Sequence, residues 1–150
     1  MLKPDRNFDR ARSEISYYMG EVAEQGILVS YPTGDVLPPG LDDKDQYAVI
    51  PADNTVVPLG ILLDNVVDKD LTDCAPNKSR REVQVNNKVE IVRAGWFVTD
   101  QLEDGIAPAP GDDMYFIAGG LFSTTSGSAV VGKFESTVDA NGFARVYVQL

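Results

Sequence analysis

Residues 82–99 read EVQVNNKVEIVRAGWFVT. Val83, Val85, Val89 and Ile91 alternate with Glu82, Gln84, Lys88 and Glu90. A period of two places the apolar side chains on one face and the polar ones on the other, the pattern of a half-buried strand. Asn86-Asn87 separates the two alternating runs and predicts a tight β-hairpin. Beyond it, Ala94-Gly95 opens the run WFVT. Adjacent strand residues face opposite sides, so at least one of the Trp96 and Phe97 rings belongs to a core. Core packing is the first reading of Trp96, and a contact with a subunit or partner is the second.

The same texture extends in both directions. Strand-length runs recur as ILVSY (27–31), QYAVI (46–50), VPLGILL (57–63), MYFIA (114–118), AVVGKF (129–134) and ARVYVQL (144–150). The turn-forming clusters PADN, PAPGDD and DANG bound them. VVPLGILL is apolar almost throughout, which predicts burial on both faces, and Pro58 places its first part at an edge or a bulge. ARVYVQL puts Val146, Val148 and Leu150 on one face and Arg145, Tyr147 and Gln149 on the other, and its end is expected inside a sheet. Gly111-Asp112 predicts a turn before an aromatic strand, and Gly119-Gly120 predicts another. Residues 33–46, rich in Pro, Gly and Asp, read as a surface loop, and the polar, charged 64–81 as a long loop or excursion carrying a short element. No internal repeat or low-complexity tract interrupts this series. The expected fold is all-β, a single small β-barrel or β-sandwich.

Ahead of that domain, residues 1 to about 13 lack an apolar period, and Pro4 marks them as an extended arm, disordered in isolation. Ile15, Tyr18, Met19 and Val22 then fall at i, i+3, i+4 and i+7, one face of a short helix with Ser13 as N-cap and Gly26 as its end. Adjacent Tyr17 and Tyr18 also suit an extended strand, the second reading of this segment. The arm and this segment form one unit, residues 1–25, before a β-domain at 26–150.

Composition narrows the function. With 150 residues and 43% hydrophobic content, the chain has enough apolar surface for one domain core. Cys74 is the one cysteine, so no intramolecular disulfide forms and folding in a reducing cytoplasm is compatible with the sequence. No apolar stretch approaches the roughly 20 residues needed to span a bilayer, and the charged start MLKPDRNFDRAR does not read as a signal peptide. A net charge of -10 disfavours a nucleic-acid partner. Asp35 to Asp73 holds nine Asp against two Lys. The first twelve residues lean the other way, with Lys3, Arg6, Arg10 and Arg12 against Asp5 and Asp9, and read either as a solvated tail or as a segment that meets an acidic partner surface.

Chemistry is sparse. The chain has no histidine, which removes Ser-His-Asp triads, Cys-His pairs and HExxH zinc sites. Ser128 and Lys133 lie on opposite faces of an alternating strand and make no Ser-Lys pair. Asp42, Asp43 and Asp45, or Asp68, Asp70 and Asp73, offer oxygen ligands to a hard cation but lack EF-hand spacing, so a solvated acidic loop is the reading preferred. No pair of carboxylates stands out for glycoside chemistry, and the glycines match neither GxGxxG nor a P-loop. No cofactor and no metal is expected, and the chain reads as a non-enzyme. Phe8, between Arg6 and Arg10, has no evident core and is a candidate partner anchor.

The order GILVSY, YAVIPADNTVVPLGILLDNVVD, KVEIVRAGWFV, PAPGDDMYFIAGG, VGKFES and RVYVQL resembles the small β-rich head decoration, or capsid cement, proteins of tailed bacteriophages, over about Gly26 to Leu150. The resemblance implies a structural protein on the outer capsid surface of the virion. It would bridge subunits of the major capsid protein and stabilise the expanded, DNA-filled shell, as a homo-oligomer, typically a trimer, without membrane or direct nucleic-acid contact. Capsid or subunit contacts are assigned to Arg6, Phe8, Arg10, Arg12, Tyr17, Tyr18 and Trp96. Two other readings stand beside it: a tail- or fibre-associated adhesion module binding through loops such as 33–46, and a small β-barrel hydrolase using carboxylates or a metal.

Overall fold

A computed structural model of the chain describes residues 3–4, 13–31, 47–53, 55–65, 82–85 and 87–150. Every regular element among them is a strand: β1 (Lys3–Pro4), β2 (Ser13–Met19), β3 (Ala23–Glu24), β4 (Leu28–Ser30), β5 (Tyr47–Pro51), β6 (Pro58–Asn65), β7 (Glu82–Val83), β8 (Lys88–Val92), β9 (Ala94–Thr99), β10 (Asp113–Phe116), β11 (Phe122–Ser123), β12 (Gly132–Phe134) and β13 (Ala144–Gln149). The all-β expectation holds, with a barrel and a second sheet together. Strands β2-β5-β4-β6-β8 close into a barrel, β8 returning to β2, and only β2 and β5 pair in parallel. An antiparallel six-stranded sheet in the order β1-β9-β13-β12-β10-β11 lies beside it, and β3 and β7 form a small ribbon.

Two local expectations are corrected. The segment from Ser13 is a strand and not a helix: Tyr17 and Met19 are buried while Tyr18 between them is half-exposed, a period of two. Ladders to β5 and β8 satisfy the backbone on both sides, and they outweigh the weak helical spacing of four apolar residues. The hairpin expected across residues 82–92 is not formed either. A turn closes where the Asn87 amide donates to the Gln84 carbonyl (3.2 Å), yet β7 pairs with Ala23–Glu24, far away in sequence, while β8 joins β2 and β6.

Two apolar cores follow from this layout. Tyr17, Met19, Ile27, Val29, Leu59, Leu62, Val89 and Ile91 fill the barrel. The second core packs the outside of the barrel, through Leu28, Ala52, Ile61 and Val92, against the inner face of the large sheet, through Phe97, Met114, Phe116, Phe122, Phe134, Val146 and Val148. Neighbours in sequence therefore serve different cores: Leu28 and Val29 on β4, Ile61 and Leu62 on β6, Ile91 and Val92 on β8. This is why the LGILL part of VVPLGILL is apolar on both faces, whereas Val57, ahead of β6, is 85% exposed, against the expected burial. The register between β4 and β6 shifts where Pro58 and Gly60 face Ser30 and Val29, so Pro58 sits at an irregularity, as expected of a residue without an amide hydrogen.

Backbone bonds lock the two layers. The Ala52 amide donates to the Leu28 carbonyl (2.8 Å), the Gly120 amide to the Ala52 carbonyl (2.9 Å), and the Leu28 amide to the Gly120 carbonyl (2.9 Å), a closed ring of three bonds among buried residues. The turns anticipated from composition are present. Asp112 donates to the Ala109 carbonyl (3.1 Å) and its side chain accepts the Ala109 amide (2.8 Å) before β10. Asp139 accepts the amides of Asn141 (2.8 Å) and Phe143 (2.9 Å) in DANG, before β13.

Candidate docking surfaces

The solvent-facing side of the large sheet is organised by register. Trp96 on β9 stands opposite Tyr147 on β13, Tyr147 opposite Lys133 on β12, and Lys133 opposite Asp113 on β10, so four strands present one row on one face. The Trp96 and Tyr147 rings lie 4.7 Å apart at 41°. Such a tilted pair adds about 0.5–1.5 kcal/mol beyond its buried area. Lys133 Nζ reaches Asp113 Oδ1 at 3.0 Å and the Gly111 carbonyl at 3.3 Å. Val98 opposite Arg145 forms a second row, and Tyr147 donates to Gln149 Oε1 at 3.3 Å. Trp96, Val98, Tyr115, Arg145 and Tyr147 are all half-buried, held in place but still presenting surface.

The Lys133–Asp113 pair adds order to this face and little stability. Both side chains are at least half exposed (58% and 50%), so Lys133→Ala is expected to change the unfolding free energy by less than about 0.5 kcal/mol, read by urea titration. A loss several times larger would show that the pair props the row as a structural strut.

Core packing, the first reading of Trp96, is corrected here: Phe97 takes the core with no exposure and Trp96 takes the outer face. Tyr17 lies in the barrel core, its hydroxyl 2.9 Å from that of Tyr31 and 3.4 Å from Arg93 Nη2. Tyr18 is half-exposed on the other side of β2. Trp96 and Tyr17 thus belong to different sheets and do not converge. Arg6, Phe8, Arg10 and Arg12 lie outside the described residues, as do Cys74, both aspartate clusters and the loops at 33–46 and 66–81. Sequence pattern alone does not single out Tyr147 and Lys133 as contact candidates. The alternation of ARVYVQL puts Tyr147 on the polar face, a usable signal once Trp96 is known to lie opposite.

One cleft of about 340 Å³ is lined by Leu102, Ile106 and Val138 together with Asp100, Glu103, Asp104 and Asn141. The three apolar residues pack against the inter-sheet core, and Glu103 is engaged by the Ser123 hydroxyl. Among the described residues, no three Asp, Glu, Cys or His side chains are arranged to hold a metal ion. Ser128 and Lys133 have separate partners, since Ser128 Oγ accepts the Phe116 amide at 2.9 Å. No protein-family model matches the chain, and no curated protein matches it.

Proposed function

We propose that this chain is a structural virion protein that decorates the outer surface of a tailed-phage capsid and bridges neighbouring major capsid subunits. The reading draws on the order of sequence segments that resemble head decoration proteins. The single observation that carries it is the outer-face row Trp96–Tyr147–Lys133–Asp113, a firm aromatic and polar surface set on four paired strands. Bridging needs only modest contacts. Once one site is engaged, the next binds at high effective concentration, and shell symmetry repeats the gain. Trp96 and the arm residues Arg6, Phe8, Arg10 and Arg12 supply the contacts, a homotrimer multiplies them, and no step of catalysis is involved.

Quantitative mass spectrometry of purified particles tests the proposal. Near-stoichiometric abundance relative to the major shell protein is expected, whereas a few copies per particle would favour a tail or fibre component, and absence would sink both. At residue level, Trp96→Ala is expected to weaken attachment to particles by about 1–2 kcal/mol or more per site while the fold survives. Undiminished attachment would remove this face from the contact.

A further inference from the structure

We propose that the cleft between the loop at 100–106 and the turn at 138–142 is a docking site for an arginine side chain presented by another protein. The loop leaves β9 just after Thr99 and the turn enters β13 just before Ala144, and those two residues face each other in the ladder. Both walls are preformed. On one side the Ile106 amide donates to the Glu103 carbonyl (3.4 Å), across Gly105, whose φ is +79°. On the other the Gly142 amide donates to the Asp139 carbonyl (3.1 Å), and the Asp139 side chain holds the amides of Asn141 and Phe143. The opening of about 340 Å³ thus stands ready before a ligand arrives, and little has to be ordered on binding.

The lining specifies the ligand. Leu102, Ile106 and Val138 are half-buried, resting on the inter-sheet core on one side and open to the cleft on the other. Asp100, Glu103 and Asp104 stand around them, and no Lys or Arg belongs to the lining. Carboxylates alone would be satisfied by water and salt. An apolar floor beneath carboxylates calls for a cation on an aliphatic stem, the way Lys and Arg side chains lie along a protein surface. Glu103 is set in advance, because the Ser123 hydroxyl on β11 donates to one of its oxygens, and among the described residues nothing else is bonded to that carboxylate. A charge-assisted bond to a carboxylate already held in place costs little side-chain freedom. Arginine suits the site better than lysine, since the carboxylates come from three positions and a guanidinium offers five donors and is the more weakly hydrated cation. The net charge of -10 draws such a cation from a distance.

Shape decides between a side chain and a free small molecule. Asp104, Gly105, Asn141 and Gly142 are exposed at the rim, so the cleft encloses only one end of its ligand. A free cation would keep much of its surface in water, whereas a side chain enters from a backbone that stays outside. The site shares no residue with the row through Trp96 and does not rest on the proposed function.

The test titrates the isotope-labelled full chain with the peptide acetyl-Gly-Ala-Arg-Ala-Gly-amide and follows backbone amides by NMR. Saturable shifts are expected in residues 102–106 and 138–142. No saturable shift there, or shifts centred on the acidic stretch 35–73, would overturn the site. The same peptide with citrulline keeps the stem and loses the charge, and should bind at least about ten-fold more weakly. Glu103→Gln should weaken the arginine peptide by about ten-fold, with the thermal midpoint unchanged. Asp104→Asn, at the exposed rim, is the second variant should the first fail to fold, and should weaken binding several-fold. Equal binding of arginine and citrulline peptides, or undiminished binding in every variant that folds, would overturn recognition by charge. Butylguanidinium that binds as tightly as the peptide would assign the cleft to a free small cation, against the side chain proposed here. Shifts in the same residues on raising protein concentration without peptide would assign it to a second copy, against a different partner.

Discussion

Gly120→Ala is expected to destabilise the protein by about 3 kcal/mol or more, from two causes that add. Gly120 has φ +73°, a region that costs a residue with a Cβ roughly 1–2 kcal/mol. The added Cβ would also run into the Leu28 backbone, meeting its carbonyl oxygen first and its nitrogen at 2.9 Å. Backbone cannot swing aside as a side chain can. Relief therefore stretches the ring of bonds through Leu28, Ala52 and Gly120 that holds the two layers together. Gly119→Ala is the control, since φ is also positive there (+87°) but a Cβ meets nothing within 4 Å. Its cost should stay near the conformational part alone, about 1–2 kcal/mol. Denaturant titration of both variants decides the matter, and equal losses would mean that the layers do not depend on this junction.

Phe97→Ala should cost about 3–5 kcal/mol, the range for removing a fully buried aromatic ring. Phe97 has no exposure, packs in the inter-sheet core, and sits on β9 between the edge strand and β13. A loss of that size consumes a large part of the roughly 5–15 kcal/mol typical of a domain, so the midpoint of thermal unfolding should fall by many degrees. Its neighbour gives the contrast. Trp96→Ala acts on the outer face and should cost no more than about 1–2 kcal/mol of stability, so the two substitutions separate folding from attachment. If Trp96→Ala proved the more damaging of the two for stability, the assignment of inner and outer faces would be reversed.

Period-two patterns make most of the strands legible in the amino-acid sequence. Val146 and Val148, or Val89 and Ile91, announce a buried face, and each of these pairs lies in a core. Alternation has no absolute phase, however. WFVT allows either ring to point inward, and only packing against Phe116, Phe134 and Val146 selects Phe97. Partnering is less legible still. Two adjacent alternating runs favour a hairpin because a short loop is entropically cheap, but Glu82–Val83 instead meets Ala23–Glu24 across some sixty residues. The Ser13 segment has four apolar residues at helical spacing, and ladders contributed by Tyr47–Val49 and Lys88–Val92 decide it as a strand. The division into a barrel and a second sheet is hidden because β6 and β8 supply both cores, leaving one long apolar texture with no seam. For the site, the aromatic character of Trp96 is plain from its residue type, but its row is not, because Tyr147, Lys133 and Asp113 become neighbours only through register.

Between β8 of the barrel and β9 of the large sheet the chain has a single residue, Arg93, and its carbonyl takes the amide of Leu150 at 2.9 Å. A tensile load applied at Trp96 thus enters the barrel along covalent backbone. It reaches β8, which is laddered on one side to β2 and on the other to β6. Pulling along β8 loads both ladders in shear, where many hydrogen bonds must yield together, in place of peeling, where they fail one after another. Under the proposed attachment through the outer face, the molecule would work mechanically as a rivet, with that face at one end of a continuous filament and the closed barrel as the head that keeps the filament from drawing through.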